Sequence, residues 1–273
     1  MSSQGSEAGA GVPNISISDT AFSQANIIVN TTLNILSIVG GLCVVLITLG
    51  LWLYDRRLMN RVSLRLNAAI SAVDALRAAV VLAYTYMSES TPKHVCVSSA
   101  WFIIFSADLY LFLSASVAFN LQWVVLQERK LARWIELYVY YVGSLVLALI
   151  ISCVPLIAGR FGWDEAQSMC WYRDSWKTSS IVWEWVTYLG PAVVVIVYCN
   201  VVVGLVIKKI MISNRKISKN IQSNNKASTV QRNTQRAINR VLGRIILYPF
   251  IPFITQTPFI ASKPLFPIVE ALH

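Results

Sequence analysis

The residues of this chain that can do chemistry are few, and most stand in apolar surroundings. Asp74 and Arg77 lie three residues apart inside one long apolar stretch, and Asp108 lies inside the next. Ionisable groups at membrane depth are costly and mark functional sites. A spacing of three puts Asp74 and Arg77 on one helix face. Counted from the ends of their stretches at 1.5 Å per residue, Arg77 lies about 15 Å deep and Asp108 about 18 Å deep. The matching depths allow Asp74, Arg77 and Asp108 to form one buried cluster between adjacent helices. Such a cluster binds a polar ligand or works as a switch, or it is a satisfied ion pair that only fixes helix rotation.

Cysteine chemistry is the second candidate. Cys43, Cys153 and Cys199 fall inside apolar stretches and read as small buried hydrophobes. Cys96 and Cys170 fall outside them, on what the charge pattern below makes the oxidising side. They are a candidate disulfide that would pin an outer loop across the bundle; the alternative is two free thiols. There is no CxxC pair, and the two histidines are His94 and His273. Zinc binding and histidine-dependent hydrolysis therefore have little to stand on, and neither an enzyme nor a cofactor is expected.

The elements that must position these residues follow from composition. Hydrophobic residues make up 56 % of the 273 residues and charged residues 13 %, about half the share in a soluble domain. That excludes an ordinary wetted enzyme surface and a disordered chain alike. A spanning helix needs roughly 20 apolar residues. Six stretches qualify: 27–53, 64–87, 97–126, 137–158, 180–207 and 241–262. They are too long and too continuous for barrel strands, so the expected fold is all-α, a polytopic membrane helix bundle. Residues 1–26 are an outer tail, 27–262 the bundle and 263–273 a short remnant. Asn34, Asn67 and Asn120 are expected to glue helices together. Pro191 in the fifth stretch, and Pro249, Pro252 and Pro258 in the sixth, are expected to kink them.

Of the 23 Lys and Arg, seventeen fall in the loops after the first, third and fifth stretches, and four in the loops between. The positive-inside rule then places the N-terminus outside and those loops in the cytoplasm. The net charge of +10 is thus explained by a bilayer and not by nucleic acid. No basic, cleavable leader precedes residue 27, so the first stretch acts as its own signal. Asn14 heads an Asn-Ile-Ser sequon on the outer side, a candidate glycosylation site.

The third inner loop, 208–240, holds nine Lys and Arg and no acid. Its Ser- and Asn-rich middle, 213–229, reads as flexible. Arg232, Arg236, Arg240 and Arg244 recur every four residues, a basic stripe on a helix. The stripe contacts lipid headgroups or docks a cytosolic partner. Ser218 follows Arg215-Lys216-Ile217, a context for a basophilic kinase.

With these features in place, the layout resembles a G-protein-coupled receptor. It does not match the rhodopsin-like class, because Leu121 stands where the inner end of the third span would carry an Arg. The chain is more similar to the fungal receptors grouped with slime-mould cyclic-AMP receptors and glucose-sensing receptors. The matching pieces are Ser63-Leu64-Arg65-Leu66 with Asp74, Cys170-Trp171, and Arg244-Ile245-Ile246-Leu247-Tyr248-Pro249. Cys-Trp in the outer loop is also similar to the secretin-like class. The resemblance implies a plasma-membrane receptor that senses an outer small ligand. It would activate a heterotrimeric G protein in cyclic-AMP signalling, through the first two inner loops and the Arg232, Arg236, Arg240 and Arg244 stripe.

The receptor architecture has seven spans, and eleven residues after Ser262 are too few for another. The resemblance therefore implies a clipped chain, or a form that folds without signalling. A six-span transporter is the competing expectation, although the two halves show no repeat.

Overall fold

The computed structural model describes residues 17–54, 62–85, 87, 90–126, 137–165, 169–174 and 177–223. Among the described residues, five helices are long and apolar enough to cross a membrane: Ile28–Tyr54, Leu64–Tyr84, Lys93–Val125, Tyr138–Ile157 and Thr178–Lys209. The chain is a mostly helical, multi-pass membrane protein. The sixth expected span, 241–262, lies outside the described residues, as do Asn14, Arg232, Arg236, Arg240 and Arg244.

The helices are α1 (Ile17–Tyr54), α2 (Val62–Tyr84), α3 (Lys93–Leu126) and α4 (Gly143–Ile157), the last entered through a π-helical turn, Leu137–Val142. A fifth span follows in three parts: α5 (Thr178–Glu184), a second π-turn (Trp185–Leu189) and α6 (Gly190–Ser223). Two helices overrun the expected ends. The first begins ten residues inside the stretch read as a tail. The last runs through residues 208–223, which were expected to belong to a loop with a flexible middle, and puts the backbone of Ser218 on a helix. Polar residues inside the spans often satisfy themselves by donating to their own helix four residues back. Thr32 bonds to the Ile28 carbonyl at 2.8 Å, Thr48 to Val44 at 2.7 Å and Asn200 to Ile196 at 2.8 Å. Asn34 does the same toward Asn30 and not toward a neighbouring helix, unlike Asn120, which accepts a bond from Tyr140 of the π-turn at 3.4 Å.

The bundle is not purely helical. Between α4 and α5 lie two short strands, β1 (Phe161–Asp164) and β2 (Met169–Tyr172), paired antiparallel with Phe161 opposite Tyr172 and Trp163 opposite Cys170. The turn into β1 is set by Gly159. Its φ of +63° suits glycine, and the Gly159 and Arg160 amides donate back to Leu156 and Pro155, closing the end of α4.

Helix α3 is the centre. Half of its apolar window is buried, against 6 % of that of α1, whose Leu, Ile and Val side chains face outward as a lipid-facing helix requires. Tyr110, Leu111, Ala118 and Leu121 of α3 pack on Ala192, Val195, Cys199, Val202 and Val206 of α6. Leu113 and Val117 pack on Leu66 of α2 and on Tyr140. At the hairpin end, Ala100 and Ile104 pack on Phe161, Trp171 and Tyr172. On α1, a Cβ added at Gly41 would sit 2.8 Å from the Ser71 carbonyl oxygen and 2.9 Å from the Ala75 Cβ. Only glycine lets α1 and α2 approach so closely there.

Candidate functional site

Cys96 and Cys170 are joined by a disulfide, with Cα atoms 5.3 Å apart. Cys43, Cys153 and Cys199 are free thiols. The bridge fastens β2 to the first turn of α3, and Tyr84 of α2 donates a hydrogen bond to the Cys170 carbonyl. Two further bonds reach the fifth span: Trp171 Nε1 donates to Glu184 Oε1 at 3.2 Å, and the Tyr172 and Thr187 hydroxyls are bonded to each other. One hairpin is thus tied to α2, α3 and the fifth span at once. Tyr172 is buried there, and burial first, then the charges of Glu184 and Asp108, push its phenol above the ordinary value, against the opposing bond from Thr187.

The second π-turn lies directly below. Pro191 has no N–H, and in an α-helix its ring would clash with the carbonyl four residues back, that of Thr187. A π-turn, one residue wider, precedes it. The Gly190 amide donates to the Trp185 carbonyl five residues back, and a Cβ at Gly190 would lie 2.7 Å from that oxygen. The kink expected from Pro191 therefore takes the form of an inserted residue, and it carries buried Tyr188 and Leu189 to Ala107 of α3.

The three expected intramembrane charges are divided between two places. Asp74 and Arg77 form an ion pair at 2.9 Å, and Ser37 of α1 donates to the other Asp74 oxygen. The Arg77 guanidinium lies 6.0 Å from the centre of the Tyr110 ring. Asp108 is two residues from Tyr110, about 200° around α3, and so faces away from that pair. Asp108 is fully buried, and neither of its oxygens has a hydrogen-bond partner among the described residues. Depth alone had grouped the three; rotation of α3 separates them. Tyr188 lies within electrostatic range of both Arg77 and Asp108, and of Glu184.

Sequence reasoning missed Trp101, whose Nε1 is also buried without a partner among the described residues. Its spacing of seven from Asp108 was the available signal. The chain matches no protein-family model and no curated protein. What the site does must be read from its own groups: an indole donor and a carboxylate on the central helix, roofed by a covalently tethered hairpin and flanked by a π-turn.

Proposed function

We propose that this chain is a ligand-sensing receptor of the plasma membrane that activates a heterotrimeric G protein, with cyclic-AMP signalling as its output. The observation that carries the reading is the hairpin held by Cys96–Cys170 over the head of α3 and bonded to the fifth span through Trp171 and Tyr172. A small ligand that shifts the hairpin or the groups beneath it loads both helices together. A disulfide at the hairpin end favours the oxidising side for that end, and the Lys and Arg bias favours the cytoplasm for the other; both support the reading. The N-terminus is then extracellular and Asn14 is open to glycosylation. On the cytoplasmic side, α6 runs on through Lys208 and Lys209 to Ser223, and Arg232, Arg236, Arg240 and Arg244, which follow in sequence, are the stripe where the G protein docks. Ser218 is the phosphorylation site that would lower the charge of that surface. Asp74, Arg77 and Asp108 are the intramembrane ligand and switch residues.

The test is nucleotide exchange on a heterotrimeric G protein in membranes that carry the full chain. Exchange above that of empty membranes, lost when all four arginines of the stripe are changed to Gln, is the expected result. Exchange that persists in the quadruple variant overturns the docking surface. No exchange in either, with solute uptake instead, makes the chain a transporter.

A further inference from the structure

Two polar groups on α3, Trp101 Nε1 and the Asp108 carboxylate, are buried without a partner among the described residues. Groups of this kind are rare in folded proteins and each calls for an explanation. Trp101 and Asp108 are seven residues apart on one unbroken helix. Two turns place them on one face, about 10 Å from each other along the axis. Phe105 lies between them, its ring stacked on Trp101 with centroids 5.4 Å apart. Ile104 clusters with Phe161, Trp171 and Tyr172, and Trp101 packs against the same cluster, so this face lies beneath the hairpin. Tyr172 and Tyr188 are both within electrostatic range of Asp108. The strip therefore reads, from the hairpin inward, as a donor, an apolar aromatic middle and an acceptor. An indole N–H only donates, and a carboxylate beside a cation only accepts, so a ligand carrying an acceptor at one end and a cation at the other matches both groups.

We propose that this strip binds a small organic cation about 10 Å long, with its ammonium group on Asp108, its apolar body along Phe105 and a hydroxyl or carbonyl oxygen on Trp101 Nε1. A cation supplies the counter-charge that a fully buried, unpartnered carboxyl needs in order to ionise; an anion or a neutral ligand supplies none. The proposal deepens the receptor reading by naming the ligand class, and its physiological meaning rests on that reading; binding itself does not.

The experiment uses the purified full chain in lipid nanodiscs and measures thermal unfolding with ω-amino alcohols, from propanolamine to its ten-carbon homologue. Alkyl amines and diols of equal length are the controls, and the Asp108→Asn protein gives the baseline for insertion of amines into lipid. The wild-type protein is expected to be stabilised to a maximum at the member that spans about 10 Å, and the diols to have no effect. Asp108→Asn weakens binding about tenfold or more, the effect of losing a charged hydrogen bond. Trp101→Phe weakens it a few-fold and abolishes the maximum, so that an amino alcohol behaves like the plain amine. A retained Cys96–Cys170 bridge shows that each variant has folded. The site is overturned if no amino alcohol stabilises the wild-type protein beyond the Asp108→Asn baseline, if diols work equally well, or if Trp101→Phe leaves the length dependence unchanged. A chain that binds these cations without driving nucleotide exchange loses the receptor reading and keeps the site. One that drives exchange without binding them loses the site alone.

Discussion

Gly40 and Gly41 are neighbours on α1, and their surroundings differ in a way that gives a sharp test. A Cβ at Gly41 meets the Ser71 carbonyl oxygen at 2.8 Å and the Ala75 Cβ at 2.9 Å, whereas one at Gly40 meets nothing within 4 Å. Neither obstacle is the end of a flexible side chain. Gly41→Ala therefore has to push α1 and α2 apart, a form of overpacking that costs about 1–3 kcal/mol. The same move stretches the Ser37–Asp74 hydrogen bond, one turn away on the same face. Gly40→Ala carries no clash and gains the helix preference of alanine, up to about 1 kcal/mol. Both variants gain that preference, so it cancels in their difference, which isolates the packing cost at about 1–3 kcal/mol. The assay is reversible unfolding of the purified protein in mixed micelles, followed by tryptophan fluorescence. Gly41→Ala should be the less stable of the pair. Equal stabilities, or the reverse order, would refute the α1–α2 contact and the rotation of α1 that it implies.

Other perturbations reach the hairpin and the fifth span. Cys170→Ser removes a bridge across 74 residues, for which chain entropy alone gives a loss of roughly 4 kcal/mol. Because inserted helices persist after unfolding in lipid, the measured loss should be smaller and confined to hairpin docking, seen as proteolysis within residues 160–177 with the spans protected. Gly190→Ala places a methyl 2.7 Å from the Trp185 carbonyl. Loss of the π-turn should turn Thr187 and Tyr188 by about 100° relative to α6; crosslinking of a cysteine at 187 to hairpin positions should drop if so, and unchanged crosslinking would count against the π-turn. For Tyr172, the raised folded value means that its stabilising contribution is intact below the ordinary phenol value of 10.0 and is lost as pH climbs above it. Alkaline loss of hairpin docking should therefore begin above pH 10 and be smaller in Tyr172→Phe; a transition already complete at pH 9 would mean another group controls it.

Much of this fold was legible because lipid leaves few choices. Apolar length alone located five spans within a few residues, and the placement of Cys96 at the outer start of the third span and Cys170 in the second outer loop singled out the pair that is bridged. The Asp74–Arg77 pair followed from spacing along one helix. The hairpin was not legible: four-residue strands such as Phe161–Asp164 and Met169–Tyr172 are too short to show a period, and Trp171 by type and position fits an interfacial aromatic belt as well as a strand. Residues 208–223 read as loop from their Lys, Ser and Asn content, yet the backbone of a helix leaving the bundle simply continues. Asp108 shows the deeper limit. Rise per residue gave its depth, but the azimuth of a helix depends on which face its neighbours bury, and that is a property of the packed bundle.

The bridge between Cys96 and Cys170 also orders events during biogenesis. Cys96 reaches the membrane first and must wait until another 74 residues have been made, including an entire further pair of crossings. Its partner arrives on the same side only if α3 and α4 have both inserted the right way round. A single helix that fails to cross leaves the two thiols in different compartments, with no route to each other. Oxidation of this pair is therefore a record of correct threading, written once per molecule and readable on a non-reducing gel.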